Sequence, residues 1–315
     1  MHPFAIIKSI IKDPRLLLEL IIRFPILRFL IPDQTAISIL YRLRFGKRIN
    51  LKDPQSFNEK LLWLTLHDRR GEYVQMVDKY EAKKWISKKF NEDSKTSHYN
   101  RCIIPTYGIY DHFDKIDFDK LPTSFVMKTT HDSGSVVVVV DKTMMDKKKA
   151  KKLLEKSLRR NYYWFSREWA YKSVKPRIII EKKLETVEKS PIDYKVYCFN
   201  GVPKFLYLVQ DRDVLETVDY YDIEWNHLPI KQVYPNNTKR PQKPNSWEEM
   251  LKCAEVLSQG IPFLRVDFYV DKYGLFYVGE LTLTPSSGLL PITPVEWDYR
   301  LGQCIDIKRL INHEL

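Results

Sequence analysis

Lys128 closes a short apolar run, SFVMKTT, and is followed at once by His131-Asp132-Ser133-Gly134 and a second apolar run, SVVVVVD. Two strands around a glycine-bearing turn bring a lysine ammonium together with the backbone amides around Ser133 and Gly134, which is equipment for gripping a phosphate. Farther along, RVDFYV and YVGELTL flank a turn at Asp271 to Gly274. Counting outward from that turn places Asp267 and Glu280 near each other across the ladder and on one face. Two carboxylates so placed repel unless a divalent ion joins them. Arg265 lies two residues before Asp267 and points to the same face of its strand. Taken singly, each of these is an ordinary solvent-facing residue of a half-buried sheet. As an ordered set they suit a Mg²⁺–phosphate cluster and transfer of the γ-phosphoryl of ATP.

The elements that must position these groups fall into α+β order. Residues 1–50 read as a basic amphipathic helical segment, in which Ile6, Ile7, Ile10, Ile11 and Leu16 to Leu18 alternate with lysines and arginines. That stretch is too broken for a membrane span of about 20 apolar residues, and no cleavage site follows it. Packing on the body of the protein or lying on an anionic membrane face are the two uses left. Residues 51–120 are expected to be helical, with Ser56 and Glu59 forming a capping box before KLLWLTL, and with IIPTYGIYDHFDK as irregular chain. Residues 121–190 hold the two strands around HDSG, a basic helix over KKKAKKLLEKSLRR and its aromatic continuation, and a third strand, PRIIIEKKL. Residues 191–315 begin with two strands across Asn200-Gly201, a dipeptide that favours a type I′ hairpin turn. A helix from about Ser246 to Gln259 precedes the RVDFYV hairpin, and TPSSG follows it directly.

Composition narrows the class. The chain has 315 residues, 44% hydrophobic and 29% charged, which suits a folded core of one large or several smaller lobes. Its formal charge of +12 favours acidic partners, yet no nucleic-acid fingerprint appears and no nucleic-acid partner is expected. The cysteines Cys102, Cys198, Cys253 and Cys304 are widely spaced and suit a reducing cytoplasm better than a disulfide framework.

The order of motifs resembles the ATP-grasp superfamily, and more narrowly the TupA-like, teichuronopeptide-type family of bacterial surface-polysaccharide loci. The residues that carry the resemblance are LKDPQSFNEKLLWL, DKYEAKKWI, IIPTYGIYD, LPTSFVMKTTHDSG, KPRIIIEKKL, DYKVYCFNGVPK, RVDFYV and GELTLTPSSG. They run over about residues 40 to 305. The resemblance implies an ATP-grasp fold, two α+β lobes sandwiching ATP, with a mostly helical region ahead of them. It implies that Lys128 binds the α/β-phosphates and that the loop of His131, Ser133, Gly134 and Ser135 closes over them. Glu181 and the backbone at Lys182 would form the adenine hinge. Lys195 would contact phosphate or an acyl phosphate, with Asp193 orienting it. Asp267, Glu280 and Thr282 would hold Mg²⁺, and Arg265 would stabilise the transferring phosphoryl. Thr282 departs from the asparagine common at that position and supplies one neutral oxygen.

The implied activity is Mg-ATP-dependent carboxylate–amine ligation through an acyl phosphate. The implied partners are an amino acid and an acidic sugar or lipid-linked glycan, handled in the cytoplasm or at the inner face of the membrane. Two other readings compete. Asp211-Arg212-Asp213 has the DxD form used by metal-dependent glycosyltransferases, though without partner motifs. The KKKAKKLLEKSLRR stretch could serve a non-catalytic polyanion-binding scaffold.

Overall fold

The computed structural model describes residues 27–188, 191–212, 214–307 and residue 310. Most of the expected amphipathic segment, residues 1–26, lies outside them. Two antiparallel sheets organise the rest. The smaller contains β1 (Thr106–Tyr110), β2 (Phe125–Thr129), β3 (Val136–Val139) and β4 (Ile178–Lys182), in the order β1-β4-β2-β3. The larger contains β5 (Asp193–Phe199), β6 (Val202–Gln210), β7 (Thr217–Asp222), β8 (His227–Leu228), β9 (Phe263–Val270) and β10 (Phe276–Thr282), in the order β10-β9-β5-β6-β7-β8. Around them pack α1 (Asp33–Phe45), α2 (Phe57–His67), α3 (Glu72–Val77), α4 (Glu81–Asn91), α5 (Lys147–Leu158), α6 (Tyr163–Ser166), α7 (Trp247–Ser258) and α8 (Glu296–Gln303).

Local chemistry sets several of these elements as the sequence reading expects. Ser56 Oγ accepts from the Glu59 N–H at 3.3 Å and the Glu59 carboxylate accepts from the Ser56 N–H at 3.2 Å, closing the capping box at the start of α2. Such a cap is worth about 1 kcal/mol. The β5–β6 turn has φ +50° at Asn200 and +85° at Gly201, the pair of positive values a type I′ turn requires.

Each sheet has one apolar and one polar face. In the small sheet, Phe125 and Met127 face Ala150 and Leu154 of α5, so Lys128, on the alternate face, points away from that helix. In the large sheet, Val196, Leu206, Leu208, Val266 and Phe268 pack on Met250, Cys253 and Leu257 of α7 and on Trp85, Ile86 and Phe90 of α4. Its opposite face is covered at one end only, where Phe57 and Leu61 of α2 and Leu301 of α8 meet Tyr197, Phe199 and Phe263. The uncovered end carries the charged residues.

Two expectations change. The stretch 51–120 does not stand apart as a helical region: α2 to α4 are built into the large sheet, and its last part supplies β1, an edge strand of the small sheet. Its sequence, TYGIY, is interrupted by Gly108 and has a register shift between Thr106 and Gly108, so no period-2 pattern marks it. The basic helix also stops at Leu158, well before the aromatic continuation. Among the described residues, no helix is long and apolar enough to cross a membrane.

Candidate active site

The polar face of the large sheet is built from cross-strand rows. One row runs Tyr207–Lys195–Asp267–Glu280 across β6, β5, β9 and β10; the next runs Tyr197–Arg265–Thr282. Direct pairing of Glu280 with Asp267 depends on a bulge at Gly279. A Cβ there would meet the Tyr269 ring at 2.5 Å, so glycine is what lets the strand slip by one residue and aim Glu280 inward.

Charges on these rows are tightly matched. Arg265 grips Asp267 with Nε at 2.6 Å from Oδ1 and Nη2 at 2.8 Å from Oδ2, and donates through Nη1 to the Tyr207 hydroxyl at 3.0 Å. Lys195 donates to the same Asp267 and lies 3.2 Å from Asp193 Oδ2. Arg212 reaches Asp193 Oδ2 at 2.5 Å. Burial alone would raise the Asp267 carboxyl, but Arg265 and then Lys195 hold it below the usual carboxylate range. Burial would likewise lower the Lys195 ammonium; Asp267, helped by Asp193 against Arg265, holds it above its ordinary value. Both therefore stay charged near neutral pH. Asp193 takes the orienting position beside Lys195 that the resemblance implies.

Across the cleft, Glu181 of β4 sits between two lysines, Lys128 of β2 at 2.7 Å and Lys83 of α4 at 2.5 Å. Burial would raise Glu181, and the two lysines hold it low. Burial would lower Lys128, but Glu181 foremost, with Glu280 and Asp193 of the other sheet, holds it above its ordinary value. Ser133 of the small-sheet loop and Lys195, Arg265 and Glu280 of the large sheet line one cleft, so the two polar faces are opposed. The Glu181 carboxylate thus serves the phosphate-side lysines, and the Lys182 backbone N–H donates to Pro105 O at 2.9 Å. Of the hinge that the resemblance implies, the Lys182 N–H is taken up by the chain leading into β1.

The HDSG loop divides its residues between anchoring and display. Asp132 is buried and accepts from Thr129 Oγ1 at 2.5 Å, Ser135 Oγ at 3.0 Å and Ser157 Oγ, while Lys79 donates to its carbonyl. Ser135 is therefore an anchor rather than an open phosphate contact. His131 is buried, with Nε2 placed between the carbonyls of Ser157 at 3.2 Å and Arg160 at 3.0 Å, at the end of α5. Burial holds its imidazole below the ordinary value. Ser133 and Gly134 remain exposed, Gly134 at φ +85°, and Ser133 lines the cleft.

Between the sheets is a cleft of about 330 Å³ lined by Ser133, Glu168, Lys195, Arg212, Glu280 and Thr282 among others. Its oxygens fit Mg²⁺, which keeps to hard donors and commonly takes one or two carboxylates, with water and phosphate oxygens completing the shell. Among the described residues Glu280 makes no hydrogen bond or ion pair, and Thr282 Oγ1 and Asp193 Oδ1 are buried without a hydrogen-bond partner. Asp267 adjoins Glu280 but both its oxygens are taken by cations, so Glu280 is the open half of the pair.

Lys83, Glu168, Tyr207 and Arg212 are site residues that sequence reading did not single out. Lys83 had a signal in DKYEAKKW, a lysine one helical turn past Lys79. Arg212 lay inside the DxD-like run, where the flanking acids drew attention. Asp211 of that run has φ +54° and accepts from Asn237, so it serves the loop. Glu168 sits within the aromatic continuation of the basic helix, and Tyr162 and Tyr171 of that stretch line the cleft. Burial pushes the Glu168 carboxyl up to about 8, with Glu280 adding to the rise and Ser287, Ser166 and Arg265 opposing it.

Two opposed sheets, one offering a lysine and a glycine loop and the other a cation–carboxylate face, define a nucleotide-clamping architecture. The chain belongs to the TupA-like ATP-grasp family, whose model matches residues 59–306. No curated protein matches the sequence. Among solved structures it is similar to D-alanine–D-alanine ligase from Bacillus anthracis in complex with ATP, at 18% identity and TM-score 0.43, covering 76% of this chain and 68% of that one. It is also similar to N5-carboxyaminoimidazole synthetase from Staphylococcus aureus, at 15% identity and TM-score 0.37, covering 66% and 44%. A third is the ATP-grasp ligase PsnB with minimal precursor, Mg and ADP, at 9% identity and TM-score 0.38, covering 90% and 66%. The chain thus spans between 44% and 68% of the length of these structures.

Proposed function

We propose that the chain is a Mg-ATP-dependent ligase that activates a carboxylate as an acyl phosphate and joins it to an amine. The observation that carries this is the row Lys195–Asp267–Glu280, with Arg265 beside it, facing Lys128 and the Ser133-Gly134 loop. Bound Mg-ATP would supply the phosphoryl group and the cation that neutralises it. The protein's own part is placement and charge. Glu280 and Thr282 offer oxygens to the metal, with Asp267 behind them. Lys128 and the loop amides take the phosphates, and Lys195 and Arg265 meet the negative charge that grows on the transferring group. Tyr207 fixes the Arg265 guanidinium from the far side.

For substrates, the reading favours an amino acid and an acidic sugar of a capsule, O-antigen or cell-wall polymer. Support comes from the +12 charge, which suits an acidic glycan. Exposed Phe29 and Leu30 beside Arg28 would suit work on lipid-linked precursors at the inner membrane face. The scaffold alternative draws on the lysines of α5, which lie on the side of the small sheet away from the cleft. ADP release, screened with amino acids against acidic nucleotide-sugars and lipid-linked sugars, tests the proposal. ADP formed only when both a carboxylate and an amine are present supports it; binding of a UDP-sugar with no binding of ATP would sink it.

A further inference from the structure

The cleft holds more carboxyl groups than a nucleotide site needs. Its cations each have a carboxylate: Lys128 has Glu181, Lys195 and Arg265 have Asp267, and Arg212 has Asp193. Three of its carboxylates, Glu168, Glu216 and Glu280, have no ion pair among the described residues, and Glu216 is only half-buried. The metal accounts for Glu280. Glu168 is only 7% exposed, so its charged form is costly and the carboxyl keeps its proton until a cation sits beside it.

The surroundings say which cation it awaits. Glu168 Oε1 accepts from Ser287 Oγ at 3.1 Å, and the Glu168 N–H donates to Ser166 Oγ at 3.2 Å, so its backbone and side chain are both tied down. Ser287 belongs to a turn with φ +51° at Ser286, +55° at Ser287 and +64° at Gly288. Two successive non-glycine residues in the left-handed region cost about 1–2 kcal/mol each, strain that persists where the surroundings enforce a particular display. The hydroxyl that strain displays is the one on Glu168. Tyr162 and Tyr171 line the same cleft, and burial, with help from the Glu168 carboxyl, holds both phenols above their ordinary value. A second metal is the weaker occupant, because the side chain bonded to Glu168 is a lone serine hydroxyl, a thin shell for a hard cation.

We propose that Glu168, seated on Ser287 and walled by Tyr162 and Tyr171, is the binding residue for the protonated primary amine of the acceptor substrate. This rests on the ligase reading and names the site of its second substrate. The amine is thereby held on the Arg265–Glu280 side of the cleft, next to where the activated carboxylate forms.

The test is thermal unfolding of the whole chain with a non-hydrolysable ATP analogue and Mg²⁺, titrated with glycinamide or ethylammonium chloride, with tetramethylammonium chloride as ionic control. The expected result is a saturable rise in midpoint with the primary ammonium probes alone. Glu168→Gln should weaken it at least tenfold while the midpoint rise due to the analogue is retained. Ser287→Ala, which leaves the carboxylate in place, should weaken it a few-fold and guards against misfolding of the first variant. No saturable response in the natural chain, an equal response in Glu168→Gln, or a Glu168-dependent response to Mn²⁺ in place of the amine overturns the proposal. Absence of any midpoint rise with the analogue itself would instead remove the nucleotide reading beneath it.

Discussion

The two sheets place charge in opposite ways. On the large sheet Asp193, Lys195, Arg265 and Asp267 stand on the interior strands β5 and β9 and, with Arg212, hold one another in a connected set of ion pairs. On the small sheet the phosphate-side groups end in a hairpin loop whose display residues, Ser133 and Gly134, are exposed and depend on one buried anchor, Asp132. The contrast teaches a division of labour. Under the proposed function the paired face would fix where charge develops, while the loop, held at its base and exposed at its tip, would cover the nucleotide.

Substitutions can break this comparison, and the largest effect is expected at Asp267. Asp267→Asn strands two buried cations and should lower stability by about 3–5 kcal/mol in denaturant unfolding, as well as abolishing ADP release. Its neighbour gives the contrast: Glu280→Gln should cost little stability, since no partner is lost, yet should depress ADP release by roughly a hundredfold or more. Equal stability losses at the two positions would contradict the paired-face description.

Glu181→Gln is the equivalent cut on the small sheet. Lys83 and Lys128 would face each other uncompensated, at a cost of about 2 kcal/mol because both are part-exposed. Unfolding midpoints should recover as pH rises and Lys83, already held below its ordinary value mainly by burial, loses its proton. A pH-independent deficit would speak against the shared carboxylate.

The pH dependence of the unmodified chain offers a smaller but signed test. Glu168 titrates near 8 in the fold, well above an unfolded glutamate, with Glu280, Arg265, Tyr162 and Tyr171 as its charged or titratable surroundings. The folded state therefore binds the extra proton between about pH 4.5 and pH 8, and stability declines as pH rises through that window. In Glu168→Gln that decline should be smaller, by a few kcal/mol at most across the whole window. The same slope in both proteins would argue that the carboxyl is not raised. Smallest of all, Gly134→Ala should cost about 1 kcal/mol, because φ is +85° but no atom lies within 4 Å of the added Cβ. Its larger trace should be a raised KM for ATP.

What could be read from the sequence follows from range. The Asn200-Gly201 turn, the Ser56–Glu59 box and the pairing of Asp267 with Glu280 are local signals, decided within a hairpin or one helical turn. The shared face of Arg265 and Asp267 followed from strand alternation. By contrast, β1 is an edge strand whose pairing with β4 spans some seventy residues, so TYGIY carried no mark of it. His131 stands in the right loop and turns to the end of α5, because the carbonyls of Ser157 and Arg160 are there to receive it. Glu168 was hidden for the same reason: its meaning comes from Ser287, over a hundred residues away, which no local pattern reports.

The Glu181 arrangement has a consequence for selectivity. A lysine waiting in solvent trades water for any passing anion, sulfate or free phosphate included. Lys128 and Lys83 instead already share a resident counter-ion, so an incoming anion must outcompete a covalently tethered one. Only a ligand that also engages the loop and the opposite sheet gains enough to make the exchange, and the cleft is thereby insulated from the small anions around it.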